Sequence, residues 1–332
     1  MEKEFSRRDF LRLAVLGLGV VSLGPLVEKL GAMPSLPEKE ISPGQGVLFI
    51  MQDSHFQAQE IETFENAVGH RIQGISYFAD MDLKIPDRDL IARTIDSGRE
   101  VMINLQPRRT IERKGESFFE ANKFWLGEYD SVLEKIAKVF SSFEEIPIYV
   151  RFGFEMNGSW FSWGNKPQEY PKIYRYVVDK IREGGGSNVR WIFSPNSWPS
   201  PSRVDEYYPG DDYVDLVGAD FYNKGVWRIL PPEDSFNKVN YYMRQIAPRK
   251  PLIVSEIGAA GPKKDEWLTR SIYENLAQGA TIINYFQIDK EESWKLSKKE
   301  QLPNLRRLVG SGVFLDDSAS LDEINAAIMK VH

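Results

Sequence analysis

Val150-Arg-Phe-Gly-Phe-Glu-Met-Asn-Gly-Ser-Trp-Phe-Ser-Trp-Gly164 passes from an apolar, strand-like opening into a dense polar and aromatic run that begins at Glu155. Pro251-Leu-Ile-Val-Ser-Glu-Ile-Gly258 shows the same arrangement around Glu256. Each carboxylate follows a short apolar run of the kind that forms a buried strand, so each is expected where a strand ends. A parallel α/β barrel carries its chemistry at that edge. Further apolar runs extend the pattern along the chain: Val47–Gln52, Ile72–Phe78, Val101–Gln106, Pro147–Gly153, Val189–Ser194, Val214–Asp220, Leu252–Ser255 and Thr281–Gln287. Amphipathic segments lie between them, among them Asp130–Phe143, Pro167–Glu183, Ser235–Ile246 and Lys264–Ala277. Strands alternating with helices in this way predict a single α/β domain, a (β/α)8 TIM barrel over residues 47–332. A doubly wound open sheet is the alternative. The barrel is favoured because polar residues follow many different strands, whereas an open sheet gathers its site at one crevice. Gly184-Gly-Gly-Ser-Asn188 precedes a strand and opens no helix, so it reads as a helix C-terminal turn and not as a phosphate cradle.

The chain has 332 residues, 42% hydrophobic and 27% charged, which suits one large folded domain. Its formal net charge of -6, with no basic block to offset it, argues against nucleic acid or an anionic membrane as partner. A neutral substrate is expected. Cysteine is absent, which excludes disulfides, thiol catalysis and cysteine-bound zinc. Histidine is confined to His55, His70 and His332, too few for a histidine-rich metal site. No metal or organic cofactor is implied, and a monomer is expected.

Residues 1–33 stand apart. Ser6-Arg-Arg-Asp-Phe-Leu-Arg12 ahead of the apolar stretch Leu13 to Leu26 has the charged and apolar regions of an export signal, and resembles a twin-arginine signal. The stretch is shorter than the ~20 residues of an ordinary membrane span. Gly31-Ala32 is a weak cleavage match, which leaves an uncleaved anchor, and so membrane association through this segment alone, as the other reading. Residues 34–46 read as a linker rich in Pro and Glu.

Two carboxylates on separate strand ends, with tryptophans nearby to stack on sugar rings, are the equipment for cleaving a glycosidic bond by double displacement. The stretch from Arg151 to Gly164 resembles the fourth-strand signature of glycoside hydrolase family 26, in which an Arg precedes His-Glu-Met-Asn-Gly and aromatics ending in Trp-Gly. Trp191-Ile-Phe-Ser-Pro-Asn196, Tyr208-Pro-Gly-Asp-Asp-Tyr-Val-Asp-Leu-Val-Gly-Ala-Asp-Phe-Tyr-Asn223, Ser255-Glu-Ile-Gly258 and Asn284-Tyr-Phe-Gln-Ile-Asp-Lys-Glu-Glu-Ser-Trp294 match in order. The resemblance covers the barrel from the fourth strand onward and is weak over the first three strands.

The resemblance implies a retaining endo-acting glycosidase on a β-linked polysaccharide, β-1,4-mannan first, with mixed-linkage β-glucan and β-1,3-xylan as alternatives. Glu155 would be the acid and base, with a pKa held high, and Glu256 the nucleophile. Retention asks for the two carboxyl groups ~5 Å apart. Tyr222 would hydrogen-bond and orient Glu256. Trp160 and Trp294 would pack on sugar faces, while Trp163 reads equally as platform or core. Asn157 and Asn196 read as contacts to sugar hydroxyls or as turn formers. Arg151 is expected to pair with a carboxylate in the barrel mouth.

The chain departs from the family at Phe154, where the family has His; an apolar ring there is expected to dry the site and raise the pKa of Glu155. The third strand ends Asn104-Leu-Gln-Pro107 instead of Trp-Glu-Pro, which changes another sugar-contacting group. His55, in Gln52-Asp53-Ser-His55, is a candidate to compensate. Two other classes stand beside the hydrolase: an exported polysaccharide-binding protein without turnover, and a transglycosylating enzyme of cell-surface polymer assembly.

The paired arginines generate a test. Replacing Arg7 and Arg8 by Lys should leave folded protein in the cytoplasm of an expressing bacterium, scored by fractionation, and N-terminal sequencing of exported protein would decide cleavage. Undiminished export of the double variant would point to another route.

Overall fold

A computed structural model describes residues 40–52, 55–82, 84–107, 121–197, 203–223, 232–289 and 292–332. The export segment expected over 1–33, and the first part of the linker, lie outside the described residues. Val47–Gln52 (β1), Gly74–Asp80 (β2), Glu100–Gln106 (β3), Ile148–Phe152 (β4), Val189–Phe193 (β5), Leu216–Asn223 (β6), Leu252–Ala259 (β7) and Ala280–Phe286 (β8) form a closed parallel barrel in sequence order. The β1–β8 pairing closes it. Around it lie the helices Ala58–Val68 (α1), Arg88–Asp96 (α2), Ala121–Trp125 (α3), Asp130–Ser141 (α4), Tyr170–Glu183 (α5), Pro232–Ile246 (α6), Lys264–Ala277 (α7), Pro303–Leu308 (α8) and Leu321–Ile328 (α9).

The strands are buried on both faces, which is why they read as continuous apolar runs. Outward residues such as Leu48, Ile50, Ile103, Val150 and Val217 join the helices in one core. Inward residues Val47, Phe49, Met102, Tyr149, Ile192, Leu216, Ile253 and Ile282 fill the N-terminal end of the barrel and pack on Ile324, Ala327 and Ile328 of α9. Each such side chain contributes ~1.5–3 kcal/mol by burial. Phe49 fits only because position 74 is glycine, since a Cβ there would lie 2.2 Å from its ring. The plugging helix starts at a capping box in which Ser320 and Glu323 bond each other's backbone N–H, worth ~1 kcal/mol.

Most expected strands agree with the observed ones within two residues at the ends. Two run further. β6 extends past Asp220 to include Tyr222, and β7 extends past Ser255 to include Glu256. Glu256 is therefore held inside a strand and not beyond its end. Gly184 caps α5 and the glycines after it turn the chain into β5, as expected from their position.

The floor holds one anomaly. Glu100 opens β3, is 1% exposed, and neither carboxyl oxygen has a hydrogen-bond partner among the described residues. Burial, reinforced by Asp322 of α9, raises its pKa to about 8. A carboxyl with a raised folded-state pKa stabilises fully below its unfolded value, and that stability is lost as pH climbs through the folded one. Stability should thus fall by about 4 kcal/mol between pH 5 and pH 9 from this group alone. Glu100→Gln should flatten that fall in urea denaturation series, with wild type and variant converging at pH 5. Parallel curves at both pH values would show that Glu100 is ionised without penalty.

Candidate active site

β4 delivers the first carboxylate through an irregular exit. After Phe152 the chain passes through Gly153 at φ 54° and Glu155 at φ 53°. The second is a non-glycine residue in the left-handed region, at a cost of ~1–3 kcal/mol. Three bonds hold it there: Glu155 N–H to the Ser194 carbonyl at 2.9 Å, Gly158 N–H to the Glu155 carbonyl at 3.0 Å, and Trp163 Nε1 to the Phe154 carbonyl at 2.9 Å.

The second carboxylate depends on a register shift. In β7, Leu252 and Val254 face the helices, as do Ile257 and Ala259, so the alternation changes parity between them. The pairing with β6 steps from Ala219–Val254 to Asp220–Glu256. Such a bulge re-aims one side chain, here turning Glu256 into the barrel. The Ser255 carbonyl accepts from Asn284 Nδ2 at 2.7 Å, and Asn284 accepts in turn from Ser76 at 3.1 Å.

Arg151 joins these parts. It is fully buried on β4; Nη1 donates to Glu256 and, at 3.1 Å, to Asn104 Oδ1, while Nη2 donates to Asp220. Burial works against its charge, yet Asp220, Glu256 and Glu155 together hold its pKa above the ordinary value. Tyr222 donates its hydroxyl to the other oxygen of Glu256. Burial first, and then the charges of Glu256 and Asp220, push the tyrosine's pKa up, so the phenol stays a donor. Glu155 is raised above the usual carboxyl value by burial and by Glu256, against the pull of Arg151, Trp160 and Asn196. Asp220 is raised further by burial, and Glu256 and Glu155 outside its pair with Arg151 add to the rise. Three carboxyl groups around one guanidinium carry two surplus negative charges when all are ionised. The set therefore titrates as a unit.

The structure thus brings together Glu155, Glu256, Tyr222 and Arg151. It adds Asp220, which the sequence reading passed over although it lies two residues before Tyr222 and so shares its face of β6. Asn104, read as part of a changed sugar contact, instead supports Arg151. Asn157 is likewise occupied: its amide makes two 2.8 Å bonds to the backbone of Asn196. Asn196 then donates from Nδ2 to Glu155. Neither asparagine is a simple turn former.

Among the aromatics, Trp160 is 43% exposed and donates to Glu155. Trp294 is no open platform: it is 1% exposed, with its ring 5.3 Å from Tyr222 and its carbonyl held by Tyr285. Trp163 belongs to the core, stacked on Phe161 at 4.4 Å. Phe154 is also buried, in contact with Phe78, Phe161 and Trp163, and the Arg151 guanidinium lies over its ring at 4.4 Å. It meets the charged network through that cation–π contact. His55 is exposed after β1, and among the described residues no bond links it to the carboxylates.

Comparison with known proteins places this geometry. The family model for glycosyl hydrolase family 26 matches residues 121–300, more than half of the chain. Endoglucanase H of Acetivibrio thermocellus is 26% identical over 275 residues, covering 76% of this chain and 29% of that protein. A mannan endo-1,4-β-mannosidase of Bacillus subtilis is 31% identical over 144 residues, 39% of this chain and 36% of that protein. The chain thus spans about a third of the length of these relatives. Among solved structures, a GH26 β-mannanase from Bacteroides ovatus superposes with a TM-score of 0.66 at 18% identity, over 83% of this chain and 92% of that one, which shows the shared fold.

The contact between Arg151 and Phe154 has a measurable consequence. Phe154→Leu keeps an apolar side chain but removes the ring face under a desolvated cation, and should cost ~1–2 kcal/mol beyond the change in volume. Phe154→Tyr should retain that part. Urea denaturation of the two variants at neutral pH separates them, and equal stabilities would reduce the ring to a filler of space.

Proposed function

The chain belongs to glycosyl hydrolase family 26, and from that premise we propose that it is a retaining endo-acting β-glycosidase with β-1,4-mannan as first substrate. The observation that carries this reading is the meeting of Glu155 and Glu256, from β4 and β7, at the C-terminal mouth of the barrel around Arg151. Their settings differ in the way double displacement requires. Glu155 has a raised pKa, as a group that carries a proton at neutral pH needs. Glu256 is fixed through both oxygens by Arg151 and Tyr222, as a nucleophile needs.

In the first step a Glu256 oxygen attacks the anomeric carbon, the bond from that carbon to the glycosidic oxygen breaks, and Glu155 gives its proton to the departing oxygen. In the second, Glu155 takes a proton from water, the hydroxide oxygen bonds to the anomeric carbon, and Glu256 leaves as carboxylate. Asp220 and Asn104 act through Arg151, which keeps Glu256 aimed. Mannan is supported by the mannanase among the relatives and by the fold shared with a β-mannanase. A β-glucan is the second reading, supported by the match to an endoglucanase over 76% of this chain. We further propose export through the twin-arginine segment.

Assay of purified protein on β-mannan, mixed-linkage β-glucan and β-1,3-xylan, with product anomers followed by NMR, tests activity, substrate and stereochemistry together. Glu155→Ala should lower turnover of polymer by ~10²–10⁴-fold while still forming the covalent intermediate from an activated aryl β-glycoside. Added azide should then release a β-configured glycosyl azide. Glu256→Ala should form no intermediate from either substrate. Near-normal turnover of polymer by both variants, with unchanged circular dichroism, would sink the assignment.

A further inference from the structure

Trp160 has a bond that a sugar platform does not need. Its Nε1 donates to Glu155 Oε2 at 2.5 Å although the ring is 43% exposed. Gly158 makes that pose attainable, because a Cβ at 158 would come within 2.3 Å of Trp160 Cζ2. With glycine there, the indole lies against the turn and its N–H reaches the carboxyl group. The other oxygen of Glu155 accepts from Asn196, whose backbone is clamped by Asn157. One donor is thus tied to the fold and the other rides on an exposed ring. The remaining charged and titratable groups facing Glu155 are fixed in the barrel: Arg151 on β4, Asp220 and Tyr222 on β6, and Glu256 on β7.

We propose that Trp160 is a displaceable donor: in the empty cleft its N–H favours the carboxylate form of Glu155, and a sugar docking against the indole turns the ring off Oε2, so that Glu155 binds more tightly the proton it will deliver. The inference rests on the reading of Glu155 as general acid. A hydrogen bond to a carboxylate oxygen favours the charged form; once it is gone, desolvation by the sugar and the charge of Glu256 are opposed by Arg151 and Asn196 alone. The proton comes from solvent, so sugar binding and proton uptake are coupled. Trp160 acts through Glu155 and is in this respect a positioning residue.

The test starts without turnover. In protein carrying 13C-labelled glutamate, with the Glu155 signal assigned from Glu155→Gln, Trp160→Phe keeps a ring and loses the donor. Gly158→Ala keeps the indole and pushes it away. Both should raise the Glu155 titration midpoint, by about tenfold in proton affinity; unchanged midpoints in both would overturn the proposal. On manno-oligosaccharides, Trp160→Phe should move the alkaline limb of kcat/KM, which reports free enzyme, to higher pH. It should leave the limb of kcat, which reports the loaded complex, in place. Equal movement of both limbs would mean that the bond survives in the loaded complex and would overturn displacement. If no glycan were turned over, the acid assignment would fall and displacement with it, while the midpoint shift would stand as a property of the empty site.

Discussion

A single guanidinium organises the centre of this barrel. Arg151 has no exposed surface and reaches Glu256 and Asp220 with its two terminal nitrogens, with Glu155 close enough to add to its field. An ion pair buried this deeply gains little net stability, because removing both charges from water costs nearly what their attraction returns. Its contribution is positional. Leaving either partner alone costs ~3–5 kcal/mol, so the carboxylates cannot turn away from Arg151 without a large penalty. Asn104 and the ring of Phe154 hold the guanidinium edge and face.

Two departures from regular backbone bring the carboxylates to this cation. Glu155 takes a left-handed conformation just after β4, and β7 gains a bulge between Val254 and Glu256. Each is over-determined by its surroundings: the first by the bonds to Ser194, Gly158 and Trp163, the second by Asn284 capping the Ser255 carbonyl. Irregularities at the C-terminal ends of two strands of a closed sheet are where a barrel stores strain for use. One carboxylate therefore sits on a loop beside an exposed tryptophan and the other inside a strand, so the two occupy settings of unequal rigidity.

The two ends of the barrel have opposite character. The N-terminal end is a dry plug of Val47, Phe49, Ile192, Leu216 and Ile253 sealed by α9, with Glu100 a buried carboxyl left without a bond among the described residues. Toward the C-terminal end the inward positions turn into a polar belt, with Ser76 bonded to Asn284, and Arg151 bonded to Asn104 and Asp220. The dry floor lowers the local dielectric under that belt, which strengthens the field of each charge in it. The proposed chemistry uses this contrast, because a carboxyl group kept short of water is one that holds its proton.

The linear chain by itself determined the barrel and the segments that face its mouth. Apolar runs and amphipathic stretches are local patterns with fixed periods, and Glu155, Glu256, Tyr222 and Arg151 stand out within short motifs that can be read without knowing what lies across the sheet. Tertiary structure decided the rest. Asp220 entered the site because β6 runs on to Tyr222 and places both on one face. Trp163 and Trp294 became buried, and Asn157 and Asn196 became a clamp on the acid. Phe154 turned to the face of Arg151, and Glu256 faced inward only through a bulge. Each of these outcomes depends on which way a side chain points relative to a strand or loop distant in sequence. Register shifts, ring stacking and charge pairing set that direction after the barrel has closed, and no local period encodes them.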